Sequence, residues 1–199
     1  MTPIASRMSG LAVGAAALAI AAGAALAPAM AQAPATQGAP TPPAAATTQP
    51  APQPNPHMET IHHPDYNKNV FMPFVPAIKV KSGKMLWLAG TTALPVYHDH
   101  PHKREEVTQY MVNDLEAQTR AAMEGIKKTL EASGASFKDV VHYFVFRTRP
   151  RTGDIGKATA VINSYFAPYG HKPTSTNMAV LELGEPEQLI EIQMVAVVD

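Results

Sequence analysis

Apolar and polar residues alternate with two distinct periods along the part of the chain that follows residue 57. Residues 78–81 and 85–89 are apolar-rich and are joined by a Ser-Gly-Lys turn, a pattern that predicts an antiparallel hairpin. Residues 113–131 instead repeat apolar side chains at helical spacing opposite a charged face, which predicts an amphipathic helix. The apolar positions of that helix are Leu115, Thr119, Ala122, Met123, Ile126 and Leu130.

Three further strands and a second helix are predicted beyond residue 139. Residues 140–148 are rich in β-branched and aromatic side chains, as in a buried strand. Residues 154–166 have the pattern of a helix with Asp154 at its N-cap. Residues 178–183 and 189–198 are predicted strands, separated by a Gly-Glu-Pro turn. The order β-β-α-β-α-β-β predicts an α/β (α+β) fold, one mixed sheet with both helices on one face.

A sheet of this kind leaves its second face uncovered. With so few residues in the chain, another subunit is the natural cover, so we expect a homo-oligomer. The absence of cysteine points the same way, because packing or assembly alone must then stabilise the domain.

The N-terminal part of the chain has the composition of a precursor. An apolar run follows a basic residue and ends near an A-x-A cleavage site at Ala29 to Ala31, so residues 1–31 are predicted to be a secretion signal. Residues 32–57 are almost wholly Ala, Pro, Gln and Thr, which predicts a disordered linker. Residues 58–199 are then one domain that works in the periplasm or outside the cell, with no membrane anchor after cleavage.

The charge of the chain limits its partners. Lys and Arg number 16 and Asp and Glu number 16, which gives a formal net charge of +0, and no basic stripe is present. Nucleic acid is therefore not an expected partner. We expect a small-molecule substrate, further copies of the chain, and no cofactor.

Four stretches form a pattern that extends across the whole domain. They are WLAG at 87–90, LP at 94–95, DLEAQTRAAMEGIKKTLEASGASFKDVV at 114–141, and IEIQMVAV at 190–197. Together they resemble the RidA family, also called the YjgF family of imine and enamine deaminases, and the long stretch is the most specific. The resemblance implies a chorismate-mutase-like homotrimer with its helices outside and its ligand clefts between adjacent subunits.

The resemblance also implies which residues act. In the family's deaminases, an arginine of a PARS-like motif pairs with the substrate carboxylate, and a glutamate on the last strand handles the attacking water. The glutamate falls on Glu191, the implied catalytic acid or base. From its strand pattern alone, Glu191 also fits a solvated carboxylate on an outer sheet face. The arginine position holds Ser175, within the sequence PTST at 173–176.

Loss of that arginine changes the expected substrate. A charge-assisted pair contributes about 1.5–3 kcal/mol, which corresponds to an affinity loss on the order of tenfold to a hundredfold. We therefore expect a neutral or weakly charged enamine, imine, enol or lactone. The other expected substrate-binding positions are Phe74, which replaces a tyrosine, Thr159, which replaces an asparagine, Gly90 and Thr174.

The sequence HDHPH places three histidines and one aspartate within five residues. His98, His100 and His102 could bind zinc or copper. Apart from His62 and His63 near the linker, however, no second ligand cluster is present, so no metal site is predicted. The segment is instead expected to cover the cleft mouth and supply a histidine as acid or base, or to be a plain exposed loop.

Two classes of function stay open at this point. One is an exported hydrolase or isomerase related to the imine deaminases, in which Glu191 positions water or moves a proton. The other is a non-catalytic trimer that binds a small carbonyl metabolite in its clefts. The retained Glu191 favours the enzyme. The RNA-cleaving activity reported for some family members fits poorly with the neutral charge and predicted export.

Overall fold

The computed structural model describes residues 53–148 and 155–199. The strands are β1 (Met58–Ile61), β2 (Ala77–Val80), β3 (Lys84–Trp87), β4 (Val140–Thr148), β5 (Thr174–Val180) and β6 (Ile190–Val198), and the helices are α1 (Arg104–Tyr110), α2 (Leu115–Ala132) and α3 (Ile155–Phe166). The predicted signal, most of the predicted linker and the predicted cap Asp154 lie outside the described residues. Within the described ranges, no helix combines the length and apolar character needed to cross a membrane.

The main sheet is mixed and has four strands in the order β3-β6-β4-β5. Strand β6 pairs antiparallel with β3 and with β4, whereas β4 and β5 are parallel. A parallel pair needs a crossover connection, and α3 lies in the connection between these two strands. The predicted mixed α/β architecture is therefore confirmed.

The predicted hairpin between residues 78–81 and 85–89 is wrong. Both segments contain strands, but β2 pairs with β1 in a separate two-stranded sheet, and β3 pairs with β6. Strands β2 and β3 do not pair with each other because β3 can form its hydrogen bonds with β6, whose residues are mostly buried, whereas β2 is short and mostly exposed. Gly83, with a φ of +90°, turns the chain from one sheet into the other.

Two further elements differ from the sequence prediction. Strand β5 starts four residues before the predicted strand at 178–183, because its parallel ladder with β4 already begins at Thr174 opposite His142. Helix α1 was not predicted. It contributes Val107, which is buried in a small apolar cluster of its own with Met111, Ala93 and Leu94.

Helices α2 and α3 pack on one face of the main sheet, as predicted. The amphipathic pattern of α2 is confirmed, and Asp114 caps the helix by accepting the N–H of Ala117 at 3.0 Å. The core between helices and sheet contains Ala122, Met123 and Ile126 of α2, Ala158 and Ile162 of α3, and Ile190, Ile192, Met194 and Ala196 of β6.

The opposite side of the sheet is referred to below as the open face. Side chains alternate between the two sides of a strand, so Glu191 and Gln193 of β6 point away from the helices, together with their partners Phe146 and Phe144 of β4. Trp87, which is paired with Val195, remains 67% exposed. The open face therefore carries a large apolar surface and one carboxylate.

The end of the predicted linker belongs to the folded domain. Asn55 is buried, and its Nδ2 donates to Asp139 Oδ1 at 2.8 Å and to the Val197 carbonyl at 2.9 Å. His57 contacts Ser82 through Nδ1. Residues at the end of the predicted linker thus contact the domain predicted at 58–199, because the Asn55 amide satisfies buried acceptors of the core.

Candidate functional site

Glu191, Gly90 and Gln188 meet where β6 begins, next to the chain that leaves β3. The Glu191 carboxylate is half-buried, and its Oε2 accepts from Gln188 Nε2 at 3.1 Å. Its Oε1 lies directly over Gly90, so that a Cβ built at this glycine would overlap the oxygen. The absence of a side chain at Gly90 is therefore what allows the carboxylate to occupy this position.

A buried amide fixes the loop that carries Gln188. Gln118 of α2 is fully buried, and its Nε2 donates to the carbonyls of Val112 at 2.9 Å and Glu187 at 2.8 Å. Its Oε1 accepts the N–H of Leu189 at 2.9 Å. Helix α2 thereby positions the loop before β6, and with it the side chain that orients Glu191.

Gly90 and Gln188 line a cavity of about 330 Å³, called the Gly90 cavity below. Its apolar wall contains Leu88, Leu94, Pro95, Val96 and Met111. Among the described residues that line it there is no lysine or arginine. The cavity is large enough for a small ligand, and its lining offers an anionic group no lysine or arginine to pair with.

The three histidines of the HDHPH segment line the same cavity. The Nε2 atoms of His98 and His102 are 2.9 Å apart, and the ring of His100 lies 4.6 Å from each of the other two, between ring centroids. His102 Nδ1 contacts Glu185 Oε1 at 2.6 Å. The structure thus brings Gly90 and all three predicted histidines into the lining of one cavity, and Glu191 contacts two of its lining residues, Gly90 and Gln188.

Ser175 lies on the other side of the sheet from Glu191. It pairs with Tyr143, whose neighbour on β6 is the core residue Met194, whereas Glu191 lies opposite Phe146. Burial raises the pKa of the Tyr143 phenol, and a hydrogen bond with Ser175 lowers it by less. Within one chain, the structure therefore does not bring Ser175 to the carboxylate.

Thr174 is on the open face but contacts a different residue. Its hydroxyl donates to the Val141 carbonyl at 2.9 Å and accepts from His142 Nδ1 at 2.7 Å. Burial lowers the pKa of His142, and its Nε2 is buried without a hydrogen-bond partner among the described residues. His142 is thus a second titratable group on the open face, at a position that the sequence marks only as part of a buried strand.

Phe74 and Thr159 lie apart from Glu191 within the chain. Phe74 lines a second cavity of about 470 Å³ together with Tyr66, Phe71 and Lys172. The Lys172 ammonium lies 5.0 Å from the centre of the Phe71 ring. Thr159 is half-buried on α3, which packs on the helix side of the sheet.

Sequence reasoning missed Gln188, Glu185 and Lys172. Gln188 precedes Glu191 by three residues, and Glu185 stands in the segment interpreted only as a turn. Lys172 directly precedes the PTST motif, where an arginine is expected. This neighbouring positive charge was the one feature of the sequence that could have indicated Lys172.

Comparison with known proteins assigns the family. A family model described as Endoribonuclease L-PSP matches residues 67–198, which is more than half of the chain. The chain belongs to the RidA/YjgF family. Protein DfrA of Myxococcus xanthus is 31% identical over 136 residues, which cover 68% of this RidA-family chain and 92% of DfrA. A RutC family protein of Pyrococcus horikoshii is 32% identical over 117 residues, covering 59% of this chain and 82% of its own length.

A solved structure of the conserved Rid protein family supports the fold. It is YyfB from Yersinia pestis, a protein of unknown function, and it aligns with a TM-score of 0.55 and 24% sequence identity. The alignment covers 71% of this chain and 99% of YyfB. Membership of the RidA family fits a role on a small molecule, as a deaminase-like enzyme or as a binding protein.

Proposed function

We propose that this RidA-family chain is an exported hydrolase for a neutral imine, enamine, enol or lactone, with Glu191 as its catalytic acid and base. The observation that carries the proposal is the placement of Glu191, whose half-buried carboxylate contacts Gly90 and Gln188, two residues that line the Gly90 cavity. A carboxylate oriented by a hydrogen bond to one of its oxygens is suited to proton transfer.

For an imine, the chemistry needs only water and the carboxylate. Glu191 accepts a proton from water while the water oxygen bonds to the imine carbon, and the C=N double bond becomes a C–N single bond. Glu191 returns this proton to the nitrogen, which gives a carbinolamine. Glu191 then accepts the hydroxyl proton and passes it to the nitrogen while the C–O bond becomes double and the C–N bond breaks, so that ammonia leaves and a carbonyl compound remains.

The neutral substrate follows from the charges around the cavity. Ser175 stands where a carboxylate-binding arginine is expected, and the described lining of the Gly90 cavity has no lysine or arginine. A substrate carboxylate next to Glu191 would meet like charge without compensation from a lysine or arginine. The charge-assisted pair that is missing corresponds to about 1.5–3 kcal/mol.

A site that includes both Glu191 and Ser175 requires two subunits. Glu191 and Ser175 point to opposite sides of the sheet, so the two cannot contact one ligand within one chain. The apolar open face supplies a surface for assembly. We therefore include a homotrimer, with ligand clefts between subunits, in the proposal.

Export belongs to the same proposal and places the protein in the periplasm or outside the cell. It rests on the predicted signal at residues 1–31. A mature N-terminus at Gln32, found by mass spectrometry of the secreted fraction, supports it, and an uncut chain in the cytoplasm contradicts it.

The direct test uses 2-iminopropanamide, an uncharged imine, generated in situ and followed by ammonia release. We expect release above the buffer rate, and we expect Glu191→Gln to lower kcat by about 10²–10⁴-fold. Glu182→Gln makes the same chemical change at an exposed position and serves as the matched control. If wild-type protein binds such compounds without turnover, and Glu191→Gln changes only affinity, the chain is a binding protein instead.

A further inference from the structure

Three histidine rings converge on one point of the Gly90 cavity. His98, His100 and His102 each present one ring nitrogen, and these atoms lie within 4.8 Å of one another. The rings belong to the segment between β3 and α1, and their centroids are separated by 4.6 to 4.7 Å. The proposed hydrolysis by Glu191 does not require them.

Hydrogen bonds to the outer nitrogens fix how two of these rings are protonated. His98 Nδ1 is 2.6 Å from the carbonyl oxygen of Pro95, and His102 Nδ1 is 2.6 Å from Glu185 Oε1. Both partners only accept hydrogen bonds, so both Nδ1 atoms must carry the hydrogen. In neutral rings the two Nε2 atoms are then bare lone pairs.

The two lone pairs face each other. His98 Nε2 and His102 Nε2 are 2.9 Å apart, at which distance two lone pairs repel unless a positive charge lies between them. A shared proton would link these two rings only. The third nitrogen, from His100, converges on the same point, and three convergent nitrogens are what a metal ion requires.

We propose that His98, His100 and His102 bind one divalent transition-metal ion of the zinc class. Zinc–nitrogen bonds of about 2.0–2.1 Å in a tetrahedron place ligand nitrogens about 3.3 Å apart. The Nε2 atoms of His98 and His102, now 2.9 Å apart, must therefore separate slightly, and any pair of ligand nitrogens near the 4.8 Å limit must move closer. Imidazole is a preferred ligand of zinc, copper and nickel. The carboxylate of Glu185 on the outer nitrogen of His102 is the usual orienting partner of a metal-bound histidine.

A site of three histidines needs no second ligand cluster, so the lack of one in the sequence does not exclude a metal here. The fourth position is open to the Gly90 cavity, where water or a ligand can complete the coordination. The proposal concerns binding by this chain's own side chains, and it holds or fails independently of the role of Glu191.

The test is a titration of the full chain, freed of metal by a chelator, with Zn²⁺ in isothermal calorimetry and with Co²⁺ in absorption spectroscopy. We expect one ion per chain and the intense visible bands of tetrahedral Co²⁺. Because His100 is exposed, His100→Ala should leave the fold intact and remove the bands. Glu185→Gln should weaken Zn²⁺ binding by about 10- to 100-fold.

The matched control replaces His62 and His63 with alanine, because this histidine pair lies outside the cluster, and we expect its Zn²⁺ affinity to equal that of the wild type. A folded wild-type chain that takes up no Zn²⁺ overturns the proposal. A proton shared by His98 and His102 is then the explanation for the short distance between their Nε2 atoms. Binding that survives His100→Ala and Glu185→Gln but is lost in the His62 and His63 variant overturns it as well.

Discussion

At the scale of single residues, the position of Glu191 depends on the missing side chain at Gly90. In Gly90→Ala the new methyl group would overlap Glu191 Oε1, so the carboxylate must leave its present position. We expect kcat for 2-iminopropanamide to fall by roughly 10² or more, within the range of general acid–base contributions. Steady-state kinetics of Gly184→Ala provide the control, since a Cβ at Gly184 makes only an ordinary contact, at 3.4 Å from Gln188 Oε1, and does not reach Glu191. Full activity in Gly90→Ala would contradict the role given to this carboxylate.

The same scale shows how far the sequence predicts the site. Glu191 and Gly90 stand in short motifs of the family pattern, so the sequence alone is enough to propose both. Gln188 and Glu185 could not be assigned in this way, because their contacts depend on a loop that Gln118 holds in place. Gln118 lies 71 positions before Leu189, the loop residue whose N–H it accepts. For the histidines, the sequence gives spacing but not ring direction, and His102 is oriented by a residue 83 positions away.

At the scale of elements, His171 connects the chain before β5 to the start of β4. Its Nε2 donates to the Val140 carbonyl at 2.6 Å, and burial lowers the pKa of the ring. Because the folded pKa lies below the unfolded value of about 6.5, the unfolded chain takes up a proton first as the pH falls. Stability is thus complete above about pH 6.5 and declines below it.

Urea denaturation at pH 7.5 and pH 5.5 measures this decline. We expect a lower midpoint at pH 5.5, with a slope of at most about 1.4 kcal/mol per pH unit for each such histidine. His171→Gln retains an N–H donor without a titratable ring, so its midpoint should depend less on pH. A wild-type midpoint that is constant or rises on acidification would falsify this assignment.

The pairing of elements shows where local sequence patterns fail. The helical period of α2 is a local property, and it predicted the helix to within a few residues. The partner of β3 is not local, since Lys84 pairs with Val198 at the far end of the chain. Turn chemistry at residues 82–84 therefore suggested a hairpin, although the ladder with β6 determines the pairing.

At the scale of the whole molecule, the open face is expected to form the contact between subunits. Trp87 is 67% and Met85 47% exposed on this face. We expect light scattering to give the mass of a trimer for the wild type and of a monomer for Trp87→Glu, with activity lost although Glu191 is unchanged. Tyr97→Glu, at a side chain that is 95% exposed outside the sheet, should retain both the trimer and activity. A monomeric wild type with full activity would exclude the two-subunit site.

The central claim about the molecule is that its substrate is neutral. Lys172 precedes the PTST motif and lines the cavity of Phe74, so it is the cation to test as a partner for a substrate carboxylate. The most direct measurement compares kcat/KM for 2-iminopropanamide with kcat/KM for 2-iminopropionate, in the wild type and in Lys172→Ala. We expect the neutral compound to be preferred by about tenfold or more, with the ratio unchanged in the variant. A preference for the carboxylate that disappears in Lys172→Ala would show that the lysine replaces the lost arginine and would contradict the account.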